Sequence, residues 1–136
     1  MIGAVCIEDR GGMLFNHRRV SRDQVQQADL LAYCADRKLW MNAYSAALFS
    51  QNADQIMVDE DFLHQAAEGE VCFVEDQPLL PVYERLEALV VYRWNRTYPP
   101  DFKLDLDLNS FVLMEQKEFP GNSHETITRE IYMRRD

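Results

Sequence analysis

Three short runs of the chain are apolar at nearly every position: Ile2 to Ile7, Val71 to Val74 and Leu89 to Trp94. Runs of this length without alternation predict strands buried on both faces. Other stretches carry different signatures. Glu8 to Gly12 predicts a turn with paired glycines, and Met13 to Val20 a loop carrying His17, Arg18 and Arg19. Ser21 followed by Gln24 reads as a capping box, with Val25, Ala28, Leu31, Ala32 and Ala35 behind it at helical spacing. Lys38 to Met41 predicts a short strand, and Asn42 caps a helix from Ala43 to Phe49. A strand at Gln55 to Val58 and a helix from Asp61 to Ala67, stopped by Gly69, come next. Pro78 to Leu86 reads as helical, with a proline near its first turn. The Leu89 strand continues less regularly to Tyr98 and ends at Pro99 and Pro100.

The last third changes period. Phe111 to Glu118 and Thr126 to Arg135 alternate apolar and polar residues, as antiparallel strands do. Strands and helices alternate first and two antiparallel strands close the chain. The expected product is a single α/β domain over 1–136, built on a mixed, mostly parallel sheet with helices on both faces and a C-terminal antiparallel pair. Ligands of such sheets sit at the carboxyl ends of the strands.

Composition narrows the function classes. With 47% hydrophobic and 27% charged residues the chain is globular. Its formal net charge of −9 repels phosphate backbones, and no basic stripe offsets it, so no nucleic-acid partner is expected. Cys6, Cys34 and Cys72 are odd in number, widely spaced and outside any CxxC pattern; buried free thiols in a reducing cytoplasm are expected. The N-terminal residues lack a basic n-region and a long apolar segment, so no secretory signal is expected, and no apolar run is long enough to span a membrane.

The order of elements is similar to dihydrofolate reductase, and four stretches carry the likeness. IGAVCIEDRGGMLFNHRR, residues 2–19, resembles that family's first strand and the mobile loop after it. KLWMNAYSAALF, residues 38–49, resembles the strand and helix that bear its Met-Gly-Arg-x-Thr pattern. LVVYRWNRTYPPDFKLDLD, residues 89–107, resembles the later strand and its Gly-Asp-x-x-Phe-Pro continuation, and NSHETITREIYMRR, residues 122–135, resembles the final strand. The ordered series spans nearly the whole chain; the length missing relative to the enzyme falls between Ser50 and Glu70, where the family has a further strand and helix.

The resemblance implies a cofactor site and a substrate site, and this chain departs from both. Where the family has Gly-Gly after the strand that Val71 to Val74 matches, this chain has Glu75 and Asp76, which repel a pyrophosphate. The Met-Gly-Arg-x-Thr segment reads Met41, Asn42, Ala43, Tyr44, Ser45; glycine and arginine are gone and Ser45 alone can stand for the threonine. NADPH binding in the family's usual mode is therefore not expected, and the cofactor is unknown. The family's helix acid maps ambiguously, to Asp23 or, counting back from Met41, nearer Gln26. Asp23 also reads simply as a helix-end charge. Tyr92 stands where the family often has the threonine supporting that acid, and Tyr92 with Trp94 can fill part of the cleft.

Other groups are weighed against ordinary roles. Arg10, Arg18, Arg19 and Arg22 could gather an anion at the ligand edge; a solvated face balanced by Asp9 and Asp23 is the preferred reading. His17, His64 and His124 are scattered and match no zinc pattern, so no metal is expected. Asp101, Asp105 and Asp107 alternate with Leu104, Leu106 and Leu108, which reads as leucines in and acids out. Cys6 and Cys72 lie on strands that are neighbours in the resembled fold and read as small hydrophobes. Tyr44, Trp94 and Tyr98 line the cleft or the core.

The expectation is a cytoplasmic protein of dihydrofolate reductase-like fold without efficient dihydrofolate reductase activity. It takes a small ligand in a cleft with candidates Arg18, Arg19, Arg22, Asp23, Tyr44, Ser45, Tyr92 and Trp94. The alternatives are a divergent NAD(P)H-dependent reductase and a non-enzymatic interaction module or homodimer, the last because the shortened middle can expose a sheet edge near Gln55 to Val58.

Overall fold

A computed structural model describes residues 1–15, 18–19, 22–49 and 54–135; for Phe15, Arg18 and Arg19 the backbone alone is described. His17, Val20 and Ser21 lie outside the described residues. The strands are β1 (Ile2–Ile7), β2 (Gly12–Phe15), β3 (Arg18–Arg19), β4 (Leu39–Met41), β5 (Ile56–Val58), β6 (Val71–Phe73), β7 (Ala88–Arg93), β8 (Phe102–Lys103), β9 (Phe111–Phe119) and β10 (Ile127–Arg134). The α-helices are α1 (Gln24–Cys34), α2 (Ala43–Leu48) and α3 (Phe62–Gln65), with 3₁₀ segments at Leu80–Arg85 and Leu108–Ser110.

Seven strands form the main sheet in the order β5-β4-β6-β1-β7-β10-β9. The pairs from β5 to β7 are parallel, while β10 runs antiparallel to both β7 and β9. The apolar runs become β1, β6 and β7, the interior of this sheet, and each feeds both cores. Along β1, Ile2 and Ala4 face one cluster while Val5 and Ile7 face the other. α1 and α2 cover the first face through Leu30, Leu31, Cys34 and Ala46. α3 and the Leu80–Arg85 segment cover the second through Phe62, Leu63 and Val82. This is the mixed sheet with helices on both faces that the pattern predicts.

Four local readings are corrected. The Met13 to Val20 stretch is not all loop: β2 and β3 pair antiparallel, and β8 joins them in a second, three-stranded sheet. The cap of α1 is Asp23, whose carboxylate accepts from the Val25 and Gln26 amides at 2.9 and 3.3 Å; Asp outcompetes a more distant Ser because it stands directly before the first helical residue. The buried side of α1 carries Gln26, Gln27, Leu30, Leu31 and Cys34, whereas Val25 and Ala32 are exposed. The helix can bury Gln27 because its side-chain amide donates to the Leu48 carbonyl at 3.1 Å, joining α1 to α2. The Pro78 to Leu86 stretch is 3₁₀ rather than α. Its first amides, Leu79 and Leu80, donate to Asp105 at 2.9 and 3.0 Å, and Asp107 caps the Leu108–Ser110 segment. The alternating acids thus face outward, as expected, and two also hold turns.

Candidate functional site

The carboxyl ends of β4, β6, β1 and β7 share one end of the sheet. Two places there gather polar side chains.

The first lies where β4 runs into α2. Asn42 accepts from the Ser45 amide at 2.9 Å, so the predicted cap is the observed one. The chain after β6 brings Glu75 and Asp76 alongside. The Ser45 hydroxyl donates to Glu75 at 2.5 Å, and the Asn42 amide donates to Asp76 at 3.4 Å. A third carboxylate, Glu60, accepts from the Ala43 amide at 2.8 Å. Ser45 is buried, while Tyr44 is 58% exposed and turned away from the core. Three acids therefore take up the Ser45 hydroxyl, the Asn42 side-chain amide and the Ala43 amide at the start of α2.

The second place lies between α1, β7 and β10. Cys6, Tyr92 and Arg129 are cross-strand neighbours in one row. Above them, Asp29 of α1 accepts from the Tyr92 hydroxyl at 2.7 Å and from Arg129 at 3.0 and 2.9 Å, and Arg129 also donates to Glu115 at 2.6 Å. Tyr92 is fully buried. Burial first, then the charge and hydrogen bond of Asp29, push its phenol far above the ordinary range.

Asp23 is the other anchor. Besides capping α1, its carboxylate accepts from the Asn122 and Ser123 amides at 3.1 and 2.8 Å, the Ser123 hydroxyl at 3.1 Å and the His124 ring at 3.2 Å. Burial alone raises its pKa, but the Ser123 and Asn122 amides, His124 and Gln26 outweigh it and hold the carboxyl far below the usual range. His124 is buried too, and burial lowers its pKa against the pull of Asp23, whose carboxylate lies 3.2 Å from its Nδ1. It stacks on Trp94 with ring centres 4.3 Å apart.

The sequence candidates thus divide. Asp23 and Trp94 join through His124; Tyr92 meets Asp29 instead of Asp23; Ser45 belongs to the α2 group; Arg22 is exposed beside Asp23. Arg18 and Arg19 form β3, and their side chains lie outside the described set. Gln26, where counting from Met41 points, is buried, and its amide nitrogen has no hydrogen-bond partner in the protein. Sequence reasoning missed Asp29, Arg129 and His124 as partners. Their separations of 63, 100 and 101 residues leave no local signal. Among the described residues, no group of three or more His, Cys, Asp or Glu could hold a metal, and no helix is long and apolar enough to cross a membrane.

Among solved structures, the chain is similar to a dihydrofolate reductase from Enterococcus faecalis complexed with NADP(H) and RAB-propyl, with a TM-score of 0.68 over 100% of this chain and 97% of that one. The fold is that of dihydrofolate reductase. Sequence identity is 11%, so the dihydrofolate reductase likeness is one of fold. No family model and no curated protein matches the sequence. The dihydrofolate reductase order of strands accounts for what the sheet brings together: β1 and β6 pair as the resemblance implies, Gly3 facing Cys72.

Proposed function

We propose that this protein uses the dihydrofolate reductase fold as a small-ligand-binding scaffold and does not turn over dihydrofolate with NADPH. The carrying observation is the occupation of the α2 start by Glu60, Glu75 and Asp76. A dinucleotide pyrophosphate set there would meet like charge instead of free amides and an arginine. The residues therefore do not fit the cofactor in that position. On the substrate side, Asp29 is held by Tyr92 and Arg129, so its oxygens are committed to the protein. The ligand cleft of this reading is bounded by α1 and the ends of β1 and β7.

The test is thermal-shift and calorimetric titration of the purified chain with NADPH, NADH, dihydrofolate and methotrexate, alongside an NADPH-consumption assay. A ligand present at 100 times its Kd adds about 2.7 kcal/mol of apparent stability, a readily seen shift. The expected result is no shift with either dinucleotide at millimolar concentration and no NADPH consumed with dihydrofolate. Turnover would overturn the proposal in favour of a divergent reductase with a rebuilt cofactor site.

A second reading, self-association, is favoured by one observation. β9 is a nine-residue edge strand, and Val112, Leu113, Met114 and the adjacent Met133 are exposed. Long apolar edges are templates for pairing with another chain. The edge expected from the shortened middle, β5, ends the other side of the sheet but is three residues long. Light scattering after size exclusion tests this reading: a dimer that Met114→Lys dissociates supports it, and a monomer at all concentrations ends it.

A further inference from the structure

The end of β7 and the start of β10 enclose an open pocket of about 380 Å³, lined by Trp94, Asn95, Arg96, Glu125 and Thr126. Its walls are fixed from behind. Asn95 takes a left-handed backbone, φ 58°, and its side-chain amide donates to the Thr126 carbonyl at 3.1 Å and the Thr128 hydroxyl at 3.0 Å, joining the two strands across the pocket. The Arg96 guanidinium donates to the Ser123 carbonyl at 3.1 Å, and the Arg96 carbonyl accepts from the Asp9 amide at 2.8 Å. Trp94 is backed by the His124 ring, itself tied to Asp23. A ligand entering such a pocket has little protein to order.

The pocket's charges are of opposite sign and are not spent on each other. Arg96 and Glu125 both line it and both are exposed, yet neither forms an ion pair among the described residues. Trp94 adds a further feature: the residue is 2% exposed, and its indole N–H is buried with no protein partner. Buried donors in native proteins almost always find an acceptor. A lone anion here would be repelled by Glu125, and a lone cation by Arg96. A ligand carrying both charges a few bonds apart satisfies both walls, and the volume falls within the range of small-molecule sites.

We propose that this pocket binds a free α-amino acid, its carboxylate on Arg96, its ammonium on Glu125 and its side chain toward Trp94. The proposal rests on the small-ligand reading above and names the ligand class. The indole N–H resonances give a direct readout. The chain has two tryptophans, and Trp40 is an internal control, its N–H donating to Glu70 at 3.0 Å away from the pocket.

The experiment is a ¹⁵N-detected titration of the full chain with L-phenylalanine, with N-acetyl-L-phenylalanine and phenethylamine as single-charge probes. The expected result is a saturable shift of the Trp94 indole signal and none at Trp40. Each single-charge probe should bind about tenfold or more weakly, as loss of one charged hydrogen-bond partner implies. Arg96→Gln and Glu125→Gln should each weaken L-phenylalanine by a similar factor; the thermal midpoint should stay put in Glu125→Gln and fall in Arg96→Gln only by the loss of one exposed hydrogen bond to the Ser123 carbonyl. No shift at Trp94 with L-phenylalanine overturns the pocket's assignment. Equal binding of a single-charge probe overturns the zwitterion class. NADPH turnover together with a Trp94 response to L-phenylalanine would sink the functional reading and leave the pocket standing.

Discussion

Replacing Asp23 with asparagine probes the junction on which the α1 end of the sheet depends. Its two oxygens accept from the Val25, Gln26, Asn122 and Ser123 amides, the Ser123 hydroxyl and the His124 ring. Asparagine keeps one acceptor. Turned to retain the helix cap, it places an NH₂ group against the Ser123 amide and the His124 ring, donor against donor. The loss is then about 2 kcal/mol, that of one charge-assisted hydrogen bond. Turned the other way it loses the cap instead, at about 1 kcal/mol, and strains the rest. Either loss is a sizeable fraction of the roughly 5–15 kcal/mol by which domains are stable.

The pH dependence supplies an independent reading. The folded-state pKa of Asp23 is depressed below its ordinary 3.8. A depressed acid contributes stability that is complete above its unfolded pKa and is lost as pH falls toward its folded pKa. Urea unfolding at pH 7 and at steps down through about pH 4 to 2 should therefore show Asp23→Asn less stable at neutrality, with a shallower acid limb than the parent. A variant within about 0.5 kcal/mol of the parent at pH 7 and with the same acid limb would refute the account of Asp23 as an ionised, multiply bonded anchor.

Three further outcomes are expected. Gly121→Ala places a methyl group 2.4 Å from the Asp23 carboxylate and 2.7 Å from Ile127, so it should destabilise by about 1–3 kcal/mol in urea and combine with Asp23→Asn less than additively. Tyr92→Phe removes a 2.7 Å bond to a carboxylate that Arg129 still holds; about 1.5 kcal/mol should be lost, and ultraviolet alkaline titration should show one fewer tyrosine that ionises only on unfolding. Cys34 and Cys72 are buried, and burial pushes each thiol up to about 12, so a disulfide reagent near pH 8 should leave both unmodified until denaturant is added; labelling of either at the rate of a free thiol would contradict their packing.

What could be read from sequence followed one physical line. Where a residue's role is decided by its own neighbours along the chain, the reading carried through. β1, β6 and β7 are apolar because both sheet faces are covered, and Asn42 caps α2 because the Ser45 amide is three residues away. Where a role depends on partners brought by topology, it did not. Gln27 broke the apolar stripe of α1, since its amide is satisfied by a carbonyl 21 residues on. Asp23 read as a helix-end charge or a cleft acid, and not as a junction, because its other partners lie about a hundred residues downstream. Glu75 and Asp76 likewise reach the start of α2 across 30 and 34 residues, because β4 and β6 are parallel neighbours.

The long reach of Asp23 bears on how the chain acquires its structure. α1 precedes residues 122–124 by about a hundred positions, yet its N-terminal cap is complete only when they arrive, and β10, the strand between β7 and β9, follows both of its neighbours along the chain. Closing a contact across a hundred residues carries a loop entropy that local helices never meet, and such topologies fold slowly. During synthesis the residues up to β7 therefore emerge with the flank of β7 unpaired and the start of α1 half-satisfied, a state in which exposed strand edges invite wrong partners. Cooperative folding waits for the β9–β10 hairpin, so the sheet up to β7 lacks its keystone until residues beyond Gly121 pair.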